Sequence, residues 1–192
     1  MKTHRYIIGI DEVGRGPIAG PVTVGAVCIP RTLGRRHFKG VKDSKKLTPK
    51  QRNLWFSRIR KMRKVHYTTS SVSSRVIDEK GIMYAIRRAL HRSIARLGIN
   101  PRTCLVLLDG GLAAPQRFVY QRTIVKGDEK EHVIALASII AKVTRDRKMS
   151  TLGKKYPHYG FDAHKGYGTR KHYARLRVHG SCVLHRKSFL KI

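Results

Sequence analysis

Residues 7–21 read Ile7-Ile8-Gly9-Ile10-Asp11-Glu12-Val13-Gly14-Arg15-Gly16-Pro17-Ile18-Ala19-Gly20-Pro21. The apolar run from Tyr6 to Ile10 has the composition of a buried strand. Two adjacent carboxylates, Asp11 and Glu12, stand where that strand is expected to end, and a Gly-Arg-Gly loop follows at once. Carboxylates at the end of a buried strand cost desolvation energy unless a cation or hydrogen bonds offset it. Val22 to Ile29, bracketed by Pro21 and Pro30, reads as a second strand. The glycines between the two strands permit positive φ and a close approach of backbone to a ligand.

Composition makes these acids conspicuous. The chain of 192 residues carries 42 Lys and Arg against 11 Asp and Glu, a formal charge of +31. A balance of this kind points to a polyanionic partner, most commonly nucleic acid. A ribosome-type scaffold protein, or adaptation to a salty cytoplasm, would carry the same charge. The length suits a single domain, 1–192, with a real core. Cys28, Cys104 and Cys182 are odd in number and far apart, which argues against a disulfide framework or a zinc ribbon. Cys28 and Cys104 lie in apolar runs and read as small core residues. No signal-peptide core follows the N-terminus, and no apolar stretch approaches the ~20 residues of a membrane span. A soluble, cytoplasmic monomer without membrane association is expected.

Further along, Thr48, Pro49 and Gln51 spell a capping box that opens a helix running to about Met62, with Leu54, Trp55 and Ile59 inward. Lys64 to Val72 reads as a third strand. From Ser74 to Leu97 one amphipathic helix is expected, with Ile82, Met83, Ile86, Leu90, Ile94 and Leu97 on its apolar face and Gly98 as its stop. Cys104 to Leu108 and Phe118 to Val125 read as strands four and five, and Glu131 to Met149 as a second long helix. The tail from Tyr156, rich in Gly, His, Tyr, Lys and Arg, forms a small helical appendage, about residues 156–192, with a short helix from Arg170 to His179. This order predicts an α/β sheet with a helical C-terminal appendage.

Three strand candidates end in acids: Asp11-Glu12, Asp109, and Asp128 just beyond strand five. Ligand sites in open α/β sheets lie at the carboxyl ends of strands. If those strands run parallel, the acids converge, and such a cluster needs a divalent cation with a preference for oxygen, Mg²⁺ or Mn²⁺. A carboxylate cluster in so basic a chain points to metal-assisted attack on a phosphodiester. Two geometric conditions apply. Adjacent strand residues face opposite ways, so Asp11 and Glu12 share a site only if the strand bends or ends there. The link from Asp109 to Phe118 is also short for a parallel crossover. Taken singly, Asp109-Gly110 reads as a turn, Asp128 as a helix N-cap, and Asp11 and Glu12 as partners of surface arginines.

The chain resembles the bacterial ribonuclease HII family, the type 2 ribonucleases H. The resemblance runs through Ile10-Asp11-Glu12-Val13-Gly14-Arg15-Gly16-Pro17, Asp43-Ser44-Lys45-Lys46-Leu47, Leu108-Asp109-Gly110, Lys126-Gly127-Asp128 and Ala137-Ser138-Ile139-Ile140-Ala141-Lys142-Val143-Thr144-Arg145-Asp146. His164-Lys165-Gly166-Tyr167-Gly168-Thr169 and His185-Arg186-Lys187-Ser188-Phe189 match its tail. The resemblance implies an RNase H-like fold with a mixed five-stranded sheet flanked by helices. It implies hydrolysis of the RNA strand of RNA–DNA hybrids, and incision 5′ to single ribonucleotides embedded in duplex DNA, leaving 3′-hydroxyl and 5′-phosphate ends. Metal ligands by motif match are Asp11, Glu12, Asp109 and Asp128. Gly14, Arg15 and Gly16 match the segment that senses the ribose 2′-hydroxyl, and Tyr167 the aromatic packed on the neighbouring nucleotide. Ser44, Lys45 and Lys46 match positions near substrate phosphates.

Beside that resemblance, Ser138 and Lys142 lie one helical turn apart and are expected to brace the site or touch phosphate. Asp146 reads as half of a structural ion pair, and His132 as a solvated helix residue. His158, His164, His172 and His185 are spaced too irregularly to argue for zinc. Two other classes stay open: a non-catalytic basic RNA- or DNA-binding protein, which leaves the acids unexplained, and another RNase H-like nuclease such as a junction resolvase, which needs neither Gly-Arg-Gly nor Tyr167.

Overall fold

The computed structural model describes residues 4–41 and 44–190. Five strands make one mixed sheet: β1 Tyr6–Val13, β2 Val22–Pro30, β3 His66–Val72, β4 Cys104–Asp109 and β5 Gln121–Ile124, in the order β3-β2-β1-β4-β5. β1–β2 and β2–β3 pair antiparallel, while β1–β4 and β4–β5 pair parallel. The predicted convergence of strand ends therefore holds for β1, β4 and β5. The short link from β4 to β5 manages its parallel crossover without a helix. Its buried Leu112, Ala114 and Phe118 join the core, and the Gln121 side chain binds the backbone at both Ala114 and Phe118.

One face of the sheet is covered by α2 Ser74–Lys80 and α3 Ile82–Arg96, the other by α1 Pro49–Lys61 and α5 His132–Lys155. Cys28 and Cys104 are fully buried in the first of these layers, as small core residues. α5 lies unusually close to the central strands. A Cβ on Gly9 would stand 2.2 Å from the Val133 carbonyl oxygen, and one on Gly25 would stand 2.5 Å from that of Ala137. Only glycine at these points lets the helix backbone touch the sheet, and this brings Ser138 and Lys142 to the acid-bearing edge.

Beyond α5 the chain forms α6 Phe161–His164 and α7 Arg170–His179, packed with Ile18, Ala19, Met149 and Tyr159 in a third cluster. Among the described residues no helix is long and apolar enough to cross a membrane.

The capping box is formed as expected, with the Thr48 N–H donating to Gln51 and the Gln51 N–H to Thr48. Several expectations need correction. Leu54 is 70% exposed, because the buried stripe of α1 is Trp55, Phe56 and Ile59 and Leu54 falls on the far side of it. The helix expected over 74–97 is two helices, parted at Gly81 with φ 82°, and Met83 at the start of the second is partly exposed. Strand five begins only at Gln121, since Phe118 is spent in the core of the link, and Val125 is exposed.

Candidate active site

β1 does not stop at Ile10. It pairs with β2 as far as Val13↔Thr23, whereas its pairing with β4 ends at Ile10↔Leu108. Asp11 and Glu12 thus sit in a strand that is held on one side and open on the side of Asp109. Asp11 is buried and Glu12 half-buried, and although the strand runs on through both, each feels the charge of Asp109. Asp109 closes β4, and its Oδ1 accepts the Gly127 N–H at 2.7 Å. That bond ties the end of β4 to α4, Gly127–Lys130, whose first turn carries the buried Asp128. Asp128 is therefore a first-turn residue, not the N-cap. Lys126, with φ 54° in the left-handed region, turns the chain from β5 into α4.

The electrostatics are those of an acid cluster short of positive charge. Burial, then the neighbouring Glu12 and Asp109, push the Asp11 carboxyl up to about 8, against the pull of hydrogen bonds from Ser138 and the Glu12 N–H. Glu12 is raised as well, by burial and by Asp109, although Arg15 lies 2.9 Å from its carboxylate and opposes the shift. Ser138 donates to Asp11, and its own oxygen lies 2.8 Å from the buried Ser44 hydroxyl. Lys45 stands 3.8 Å from Asp128, and Lys46 pairs with Glu129 at 3.0 Å. Both lysines are largely exposed at the head group, so they face solvent and whatever binds there. Asp43 lies outside the described residues.

Lys142 pairs with Asp146 at 2.9 Å and also lies over the Tyr167 ring, 5.9 Å from its centroid. Asp146 thus forms the expected ion pair. Tyr167 is half exposed, on a loop whose backbone is held by His164 and His172. His132 is not solvated: it stacks on Phe38 at 5.3 Å, and burial lowers its pKa. His164, His172 and His185 gather beneath the Tyr167 loop, with His172 and His185 hydrogen-bonded at 3.1 Å and His164 stacked on His172 at 4.1 Å, which their sequence spacing gave no sign of.

Among the described residues no three His, Cys, Asp or Glu side chains close into a ready-made metal cage. The donor set nonetheless fits Mg²⁺ or Mn²⁺. These are hard oxygen ligands, with the buried Asp11 and the half-buried Glu12 repelling each other, and Mg²⁺ keeps several waters and is held by few carboxylates together with substrate phosphate.

The model of the family described as Ribonuclease HII matches residues 8–192. The chain belongs to the ribonuclease HII family. It is 47% identical to the Ribonuclease HII of Caldicellulosiruptor bescii over 188 residues, 98% of this chain and 88% of that one. It is 46% identical to the Bacillus anthracis enzyme over 192 residues, 100% of this chain and 71% of that one. Among solved structures it resembles the RNase HII in the PCNA:RNase HII complex from Archaeoglobus fulgidus, with TM-score 0.77 and 26% identity over 97% of this chain and 96% of that one. The ribonuclease H2 of Pyrococcus horikoshii OT3 aligns with TM-score 0.73 and 28% identity over 95% and 93%. A Bst-RNase HIII in complex with Mn²⁺ shares the fold, with TM-score 0.70 at 19% identity over 98% of this chain and 68% of that one. This ribonuclease HII chain is accordingly a ribonuclease H, an endonuclease of the hydrolase class with the RNase H-like fold, and its family acts on RNA–DNA hybrids.

Proposed function

We propose that the chain, acting as a cytoplasmic monomer of one domain, hydrolyses the RNA strand of RNA–DNA hybrids. We propose that it also incises 5′ to single ribonucleotides in duplex DNA, as a step toward their removal. The observation that carries this reading is the buried Asp11 carboxyl, pushed to about 8 beside Glu12 and Asp109 in a chain of charge +31. Among the described residues only Glu12 of these three has a cationic partner, Arg15, while Asp11 and Asp109 have hydrogen bonds alone, which is costly unless a cation from solution completes them.

Asp11, Glu12, Asp109 and Asp128 would hold Mg²⁺ or Mn²⁺. Asp11 and Asp128 would hold the ion that supplies the attacking water, and Glu12 and Asp109 would hold or share the one near the leaving oxygen. When bound, such ions supply an activated water and neutralise charge at the scissile phosphate, so that the products carry 3′-hydroxyl and 5′-phosphate ends. The protein's own groups do the positioning. Ser138, backed by Ser44, orients Asp11. Gly14, Arg15 and Gly16 face the ribose, whose 2′-hydroxyl separates RNA from DNA. Tyr167 offers a stacking face to the next nucleotide. Lys45, Lys46 and Lys142 meet phosphate. A hollow lined by Arg52, Lys142, Arg147, Lys154 and Lys165 continues this track along α5.

The test is a DNA duplex carrying one ribonucleotide, with Mg²⁺, offered to wild type and to Asp109→Asn. Wild type cuts 5′ to the ribonucleotide and the variant does not. Binding by both proteins and cutting by neither, in Mg²⁺ and in Mn²⁺, contradicts the reading and favours a binding protein.

A further inference from the structure

Among the described residues Arg145 and Arg186 are the largest fully buried side chains, each with 0% exposure. Neither forms an ion pair with a carboxylate among the described residues; every hydrogen bond either guanidinium makes goes to backbone carbonyl oxygen. Arg186 donates through Nε to Gly20 at 3.0 Å, through one terminal nitrogen to Arg15 at 2.9 Å and through the other to Gly14 at 2.6 Å. Arg145 donates to Pro21 at 2.8 Å, to Ala19 at 3.3 Å and to Lys165 at 3.0 Å. Burying a guanidinium is expensive, and an apolar residue of similar volume would fill the same space more cheaply. What a guanidinium adds is a rigid planar fork that fixes several acceptors at once.

The carbonyls it fixes determine where the neighbouring N–H groups point. In a trans peptide the C=O of one residue and the N–H of the next lie in one plane and point opposite ways. With the Gly14 and Arg15 carbonyls turned inward onto Arg186, the N–H groups of Arg15 and Gly16 are turned outward. Neither N–H takes part in a hydrogen bond among the described residues, and both residues are exposed. Beside Gly16 the space is open: a Cβ there would meet nothing within 4 Å. At Gly14, by contrast, φ is +90° and a Cβ would stand 2.3 Å from Arg145, so the backbone is seated directly on the arginines.

The same pair links this loop to the tyrosine. Arg145 holds the carbonyl of Lys165, a non-glycine residue with φ 53°, two positions before Tyr167. Its guanidinium carbon lies 6.0 Å from the Tyr167 ring centroid. The backbone adds Ala19 N–H to Gly166, Gly20 N–H to Leu184 and Arg186 N–H to Ile18.

We propose that Arg186 and Arg145 are positioning residues for ribonucleotide selection. Arg186 aims the free N–H groups of Arg15 and Gly16 at the ribose, and Arg145 locks that loop to the Tyr167 segment so that both reach the substrate as one rigid unit. The proposal rests on the reading above that this loop and Tyr167 contact the ribonucleotide.

The test combines a backbone measurement with kinetics. By ¹⁵N relaxation, wild-type residues 14–16, 18–20 and 165–167 have order parameters near those of β1, about 0.85, and in Arg186→Lys residues 14–16 drop below about 0.6 while β1 and β2 do not change. On the duplex with one ribonucleotide, Arg186→Lys loses about 10²-fold in kcat, as expected for misplacement on the ångström scale. Its KM changes by less than about threefold, because the surface that holds the duplex is intact. Arg145→Lys frees the Tyr167 segment as well. A folded Arg186→Lys with wild-type loop order, or with kcat within about threefold of wild type, overturns the proposal. If the lysine variants do not fold, wild type alone decides: residues 14–16 already below about 0.6 would overturn it. A wild type that cuts no ribonucleotide-containing duplex defeats the functional reading instead, and the order parameters still decide the clamp.

Discussion

The two ends of the Gly-Arg-Gly segment bury charge in opposite ways. On the amino-terminal side, Asp11 and Glu12 are pushed upward in pKa by burial and by neighbouring acids, and their protein partners do not make good the loss. On the carboxyl-terminal side, Arg145 and Arg186 are buried more deeply still, yet each has three carbonyl partners. Burial lowers the pKa of Arg186 to about 9, which still leaves it charged at neutral pH. The difference separates two uses of buried charge. A charge satisfied within the protein fixes geometry, whereas one left wanting is completed by something from outside.

The contrast can be broken first from the satisfied side. Arg186→Ala leaves three carbonyls, those of Gly14 and Gly20 buried and that of Arg15 partly so, without a donor, and at the usual cost of unmade hydrogen bonds it destabilises the fold by about 3–5 kcal/mol. Urea unfolding of the variant beside wild type checks this, and a loss under about 1 kcal/mol would show that the carbonyls find other partners. A smaller effect is expected at the floor of the acid edge. Gly9→Ala places a methyl 2.2 Å from the Val133 carbonyl oxygen and forces α5 away from β1. That costs about 1–3 kcal/mol. Because the shift draws Ser138 from Asp11, activity falls more steeply than stability, which parallel melting and cleavage assays would reveal.

The smallest effect is acid sensitivity of the histidine cluster under Tyr167. Burial, with help from His164, His185 and Arg175, lowers His172 from 6.5 to about 4, against its bond to the Tyr167 carbonyl. The unfolded chain therefore binds the proton first, so this contribution to stability is complete above pH 6.5 and fades as pH falls toward 4. His172→Gln, an amide that keeps a donor for Tyr167, flattens the slope of melting temperature against pH in that window.

Much of this was readable in the chain. Apolar runs, turn residues and the Thr48–Gln51 cap gave the sheet and helices, and the acids at the ends of β1, β4 and just beyond β5 gave the candidate site. Local patterns carried these features because each depends on neighbours in sequence. What was not legible depends on distance. β1 continues through Asp11 and Glu12 because β2 goes on pairing with it after β4 has stopped. Leu54 looks apolar enough to be inward, but the surface it faces is solvent. Arg145 and Arg186 look like two more surface cations in a basic chain. Their acceptors lie as far as 126 and 172 residues away along the chain, so no periodicity or spacing announces that they are buried. The histidine cluster is hidden for the same reason.

The most direct test of the central claim is thermal melting of metal-free wild type and Asp11→Asn above pH 8, each with and without Mn²⁺. Between pH 3.8 and about 8 folded wild type keeps on Asp11 a proton that the unfolded chain has already released, so its stability falls across that window and the loss is complete above about 8. The asparagine variant is spared this and should melt higher than metal-free wild type. Mn²⁺ at a hundredfold excess over its Kd should then stabilise wild type by about 2.7 kcal/mol and leave Asp11→Asn almost unmoved. A variant that melts below metal-free wild type and gains as much from Mn²⁺ would mean that Asp11 is satisfied by the protein itself, and that its burial has no bearing on metal.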